Sequence, residues 1–295
     1  MRKIIFSILI ALAPLAAAQS SSPQLVLQSE PEHVTLSFAE EFIVKSQATD
    51  RNYRIQTALL GSEPPEGYPV LFVLDGDAYF SSVAALAKAL SESHANPDAL
   101  SLLIVGVGYS DQQGIDLKQR SLDYTPPLRA EATVEERQRY GQGALFHQFL
   151  NQELMDYVAS QYRIDSESLA LFGHSFGGLY SLYDLLRDNS KFSYFVLSSP
   201  SIWWHDTRIL DFVGDWQQAH GKHVRITIGE LEIAAAQKDA RRRSRDMAGH
   251  ALKLYEQLKS AGVAVEFETY PDESHGTVAY KSVLDSLKFL QKNLR

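Results

Sequence analysis

The chain has 295 residues, 45% hydrophobic, 22% charged and 11% aromatic, the make-up of an ordinary globular protein. Its formal charge of −8 argues against nucleic acid as a general partner, because duplex binding needs clustered positive charge. The absence of cysteine excludes disulfides, thiolate metal sites, a cysteine nucleophile and lipid attachment at a cysteine.

The first elements in chain order are those of an exported protein. Arg2 and Lys3 precede the apolar run Ile4 to Ala13, and Ala16-Ala17-Ala18 offers a small-residue cleavage site. Residues 1–18 are therefore expected to be a secretory signal peptide, and the protein to be periplasmic or secreted. The other expectation, an uncleaved anchor, is opposed by an apolar core that is short for a membrane span. No later segment is long and apolar enough to cross a bilayer, and residues 19–295 show no dividing linker, so they read as one domain.

After a polar stretch, "HVTLSF" and "YRIQTALL" read as strands, and "PVLFVLD" (69–75) as a strand buried on both faces. "AYFSSVAALAKALSES" follows with helical spacing, then the buried strand "SLLIVGVG". Residues 109–142 form a long polar stretch without a clear element, and stretches of that length are often functional. "ALFHQFLNQELMDYVASQY" returns to helical spacing.

From there strands and helices alternate. "SLALFG" leads to "FGGLYSLYDLLRD", then "SYFVLSS" to a helix around 209–216, and "HVRITIGE" to a helix over 247–259. "VAVEFETY" precedes a loop and a final helix over 278–293. Such alternation implies parallel pairing with right-handed crossovers, hence an α/β fold with helices on both faces of a mostly parallel sheet.

"GHSFGG" (173–178) falls between a strand and a helix, where three glycines surround Ser175. Gly-x-Ser-x-Gly at such a junction is a nucleophile elbow: the glycines let neighbouring backbone pass while the serine stands exposed. A serine hydroxyl needs a base, and the elbow architecture orders the partners serine, acid, histidine. Of nine histidines, His275 in "YPDESHGTV" lies where that base belongs, after the last strand and before the final helix. His174 adjoins the serine, but its side chain is expected to point away. The acid belongs after "HVRITIGE", where Glu230 and Glu232 both qualify; Glu232 lies clear of the strand end and is better placed to turn toward His275. Either carboxylate could instead be solvated on a loop. The oxyanion of a tetrahedral intermediate needs two donors, and the N–H of Phe176 and the N–H of Asp77 in "DGDAYF" are the expected pair.

These motifs, with "GVGYSDQ", "RSLDYTPP", "SSPSIWW" and "IGELE", resemble the putative-esterase branch of the α/β-hydrolases, and within it the ferric-siderophore (enterobactin and salmochelin) trilactone esterases. The likeness runs from about Val34 to Phe289 in one consistent order. It implies an α/β-hydrolase fold and a metal-free, cofactor-free serine esterase acting on a small-molecule ester, with Ser175 as nucleophile and His275 as base. It also supports Glu232 as the acid, although the family includes periplasmic esterases described with a Ser–His pair alone. The arginine before "DYTP", here Arg120, lies by the substrate in that family. Trp203 and Trp204 could offer ring faces to a substrate, with core packing the other expectation for one of them.

The chain departs from the family after the acid, where "KDARRRSRDMAGHA" holds Arg241, Arg242, Arg243 and Arg245. A solvated helix face is the ordinary reading of that run; a cationic rim for an anionic substrate is the alternative. Two other functions stay open at this point: esterase activity on a feruloyl or acetyl ester, and a non-catalytic hydrolase fold that only binds.

Overall fold

Strand β3 (Tyr68–Leu74) shows how the sequence builds the sheet. Its side chains alternate: Val70, Phe72 and Leu74 belong to one hydrophobic cluster, and Leu71 and Val73 to a second. Strand β4 (Leu102–Tyr109) divides in the same way, Leu103, Val105 and Val107 to one side and Leu102 and Ile104 to the other. A strand apolar at every position is one covered on both faces, and each buried Leu or Val is worth about 1.5–3 kcal/mol.

The computed structural model describes residues 30, 34–92, 99–110, 114–213 and 216–293, so the expected signal peptide lies outside the described residues. Residues 36–295 form one compact unit. The remaining strands are β1 (Ala39–Lys45), β2 (Asn52–Leu60), β5 (Ile164–His174), β6 (Tyr194–Ser198), β7 (His223–Gly229) and β8 (Ala264–Tyr270). They pair in the order β1-β2-β4-β3-β5-β6-β7-β8. The β1–β2 and β2–β4 pairs are antiparallel, and all others are parallel.

One face carries α1 (Gly76–Ser91) and α11 (Val278–Asn293), through residues such as Phe80, Val83, Val283 and Leu287. The other carries α4 (Gly143–Gln148), a π-helical stretch Phe149–Leu154, α5 (Met155–Gln161), α6 (Phe176–Leu185) and α10 (Met247–Ser260). This is the α/β-hydrolase arrangement. Among the described residues, no helix is long and apolar enough to cross a membrane.

The structure differs from the sequence reading at four places. The first strand is Ala39–Lys45, not "HVTLSF"; Leu36 and Phe38 instead pack against the second cluster ahead of it. Within 109–142 lie α2 (Leu117–Asp123) and α3 (Val134–Arg139), started by the side chains of Asp116 and Thr133. Thr133 and Glu136 form a capping box, a signal present in the sequence as Thr-x-x-Glu.

The helix expected around 209–216 is reduced to 3₁₀ turns at Arg208–Phe212 and Gln217–Ala219. His205, Asp206 and Thr207, at the short turn α7 (Trp204–Thr207), have φ between 49° and 56° and break it. Finally, the segment after β7 is helical: α8 (Glu230–Lys238) and α9 (Ala240–Arg245).

Candidate active site

The turn between β5 and α6 holds Ser175 at φ 59°, ψ −114°, a conformation that costs a non-glycine residue about 1–3 kcal/mol. Its surroundings hold it there: Ser175 N–H donates to the Ser198 carbonyl at 2.9 Å, and Ser201 N–H donates to the Ser175 carbonyl at 3.0 Å. Two of the three surrounding glycines, Gly173 and Gly178, are required by contact. A Cβ on Gly173 would lie 2.2 Å from the Gly177 carbonyl oxygen, and one on Gly178 would lie 3.0 Å from Pro200 Cα.

His275 reaches the serine from the loop between β8 and α11. Its Nε2 stands 3.1 Å from Ser175 Oγ, and its Nδ1 stands 2.7 Å from Glu232 Oε2. A carboxylate only accepts, so Nδ1 carries the proton and Nε2 is left to accept from the serine hydroxyl. Glu232 is itself held: its Oε1 accepts from Ser199 Oγ at 2.6 Å and from the Gly229 N–H at 3.0 Å. Its side chain is 5% exposed and that of His275 45%, so the base faces the opening while its orienting group is covered.

Strand parity cannot separate Glu230 from Glu232, but the strand ends at Gly229 and both residues lie in the first turn of α8. Two residues apart on a helix point about 200° apart. Glu230 therefore faces the other way, where its Oε2 accepts from Asp272 N–H at 3.4 Å.

Ser175, Phe176, Glu232 and His275 line one cavity of about 760 Å³, together with Arg120 and Trp203. Phe176 is the first residue of α6, so its N–H is among those a helix leaves without an internal partner. Asp77 lies outside the lining, in the first turn of α1. Its carboxylate is turned toward the β2–β4 side, accepting from Arg54 at 2.6 Å and the Tyr109 N–H at 2.7 Å. Burial pushes the Asp77 carboxyl up, against the opposite pull of those two donors.

Arg120 reaches the cavity from α2 but is 6% exposed. Its Nε and Nη2 each donate at 2.9 Å to Asp75, the aspartate of the "LDG" turn, and Nη2 also reaches the His174 carbonyl at 3.2 Å. Burial opposes its charge, and Asp75 more than offsets this, holding the guanidinium above its usual range. Trp203 is half-buried and lines the cavity, whereas Trp204 is buried in the core. Of the four arginines after the acid, Arg242, Arg243 and Arg245 line the cavity.

His174 is buried, and its Nδ1 lies 3.2 Å from the Tyr79 hydroxyl. Its ring is 4.7 Å from that of His275.

Sequence reasoning missed Ser199, Ser201 and Asp75. Ser201 Oγ lies 3.3 Å from Ser175 Oγ. All three stand just past the carboxyl ends of β3 and β6, where open parallel sheets gather functional groups; that positional signal was available.

Residues 46–286 match the family described as Putative esterase. Among characterised relatives, the chain is similar to the ferri-bacillibactin esterase BesA of Bacillus subtilis, 27% identical over 265 residues, covering 86% of this chain and 90% of that one. It is also similar to the apo-salmochelin esterase of Escherichia coli, 32% identical over 248 residues, covering 80% of this chain and 74% of the relative. Among solved structures, the BES protein of Bacillus cereus superposes with a TM-score of 0.76 at 26% identity, covering 89% of this chain and 99% of that one.

Proposed function

The chain belongs to the putative-esterase family, and from that premise we propose that it is an exported serine hydrolase that cleaves siderophore esters through an acyl-enzyme. The observation that carries this reading is the continuous line from Ser175 Oγ through His275 to the covered carboxylate of Glu232, at 3.1 and 2.7 Å. The relatives act on bacillibactin and salmochelin, by their names, which directs the substrate class toward siderophores.

In the proposed reaction His275 Nε2 takes the Ser175 proton as Oγ bonds to the ester carbonyl carbon. The negative charge moves to the carbonyl oxygen, facing the Phe176 N–H and the positive end of α6. The Asp77 N–H, from the first turn after β3, the neighbour of β5, is proposed as the second donor, although Asp77 does not line the cavity. The C–O bond then breaks and the imidazolium gives its proton to the departing alkoxide. Water repeats the cycle: His275 takes its proton, the hydroxide attacks the acyl carbon, and Ser175 leaves with that proton restored. Glu232 holds the imidazole in one tautomer throughout and stabilises its positive charge.

Labelling with a fluorophosphonate, followed by peptide mapping, tests the nucleophile: covalent modification of Ser175 is expected, and unmodified protein would leave only a binding role. Chromatography of a ferric catecholate trilactone and of p-nitrophenyl acetate after incubation tests the substrate. Cleavage of the second alone would reduce the proposal to a general esterase. Export is tested by the N-terminus of the protein secreted from its host, expected at Gln19.

A further inference from the structure

Arg241, Arg242 and Arg243 of α9 are exposed and Arg245 is half-buried, yet the run is more than a solvated helix face. Arg242, Arg243 and Arg245 of α9 line the same cavity as Ser175 and His275. Among the described residues, no carboxylate stands within ion-pair distance of them. Their two acidic neighbours are occupied with backbone: Asp239 accepts from the Arg242 N–H at 2.9 Å and Asp246 from the Gly249 N–H at 3.2 Å.

Two of the guanidiniums are nevertheless held in place. Arg243 donates to the carbonyls of Ala236 and Gln237 at 3.3 and 2.9 Å. Arg245 lies 4.3 Å over the ring of Trp203, whose other neighbour, 6.4 Å away, is Phe176, next to the nucleophile. Burial and then the charges of Arg241 and Arg242 press the Arg245 proton affinity down, so the cluster is held by the fold against mutual repulsion. From α8 the same cavity is lined by the apolar Leu231, Ile233, Ala235 and Ala236 together with Glu232 and Gln237. In a chain of charge −8 this patch is a local reversal of sign, and it acts within a Debye length of about 8 Å.

We propose that Arg242 and Arg245, with Trp203 beneath Arg245, form an anion-binding subsite that selects esters whose aromatic ring carries a negatively charged oxygen group, carboxylate or phenolate. The ring lies along the apolar residues of α8 and its oxygens meet the two guanidinium forks, of which Trp203 holds that of Arg245 ready at little cost in side-chain entropy. This inference rests on ester hydrolysis at Ser175 and names the substrates that site prefers.

The test compares 3-acetoxybenzoate with phenyl acetate, which give the same acetyl-enzyme and differ by one carboxylate. The quantity read is the ratio of their kcat/KM values, divided by the ratio of their hydroxide-catalysed rates. A preference of about tenfold for the anionic ester is expected at low salt, corresponding to one charge-assisted contact, and it should shrink toward about 0.5 M sodium chloride. Arg242→Ala/Arg245→Ala should abolish it, Arg245→Lys should keep part of it, and Arg241→Ala, off the cavity, should keep it. The ratio is taken within one sample, so loss of folded protein cancels. A double variant that retains the preference, or a wild type that has none while cleaving phenyl acetate, overturns the subsite and leaves the esterase standing. Calorimetric binding of 3-hydroxybenzoate to Ser175→Ala protein reads the subsite without catalysis. Binding there that the arginine double variant loses, in a protein that cleaves neither ester and whose Ser175 no fluorophosphonate labels, would overturn the esterase and keep the subsite; absence of binding would overturn the subsite.

Discussion

Asp75 clasps the guanidinium of Arg120 with both carboxylate oxygens at 2.9 Å, and the two side chains are 1% and 7% exposed. The arginine that the sequence resemblance sets beside the substrate is thus already neutralised by the turn after β3. Removing one partner strands a buried charge, whereas removing both does not. Arg120→Ala is expected to cost about 3–5 kcal/mol in urea unfolding, and Asp75→Asn/Arg120→Ala clearly less than the sum of the single losses. Additive losses would mean the pair is not coupled.

Ser175→Ala and His275→Ala should each lower kcat by several orders of magnitude with unchanged circular dichroism. Groups that act as one unit lose their effect together, so the double variant should be scarcely slower than either single. Multiplying losses, measured on p-nitrophenyl acetate, would assign the two residues to separate steps.

Glu232→Gln should slow turnover by about 10²–10⁴, because the amide can present N–H where Nδ1–H already points and favours the wrong tautomer. Glu230→Gln, facing Asp272 from the other side of α8, should change it less than about threefold. Equal, small effects would mean that the histidine works without a carboxylate.

How much of this was legible in the sequence follows from how local each feature is. Continuous apolar runs and glycine-flanked Ser175 announce themselves, since burial on both faces and the close passage of backbone around a tight turn each demand particular residues on the spot. The choice between Glu230 and Glu232 turned on where β7 stops, one residue before the first of them, and a helix separates what a strand would align. The Arg120 partner lies 45 residues away, and nothing local in "QRSLDYTPP" points to it. The arginine run was ambiguous for a similar reason: which face of α9 meets a cavity is decided by packing, not by composition. The first strand was misplaced because "HVTLSF" alternates as well as "AEEFIVK" does, and only pairing with β2 chooses between them.

His174 supplies a pH test. Burial, and then the nearby charges of His275 and Arg120, hold its imidazole well below the ordinary histidine range. The unfolded chain binds a proton there near pH 6 and the native state does not, so this residue lowers stability as pH falls below about 6.5. His174→Gln should therefore flatten the acid side of the stability curve, by at most about 1.4 kcal/mol per pH unit. Urea titrations at several pH values would show parallel curves if His174 titrated alike in both states.

Glu232 opens α8, and the cavity arginines follow on α9, so one unbroken piece of chain carries both the catalytic carboxylate and the cationic wall. Drift that retunes the wall's charge can proceed by substitution, one arginine at a time, without disturbing Ser199 or Gly229. Insertions and deletions have no such freedom: those in the first turn shift the glutamate out of register with His275. Graft chimeras that exchange this stretch with a relative's should therefore inherit the donor's substrate preference only when its glutamate keeps the same offset from the end of β7.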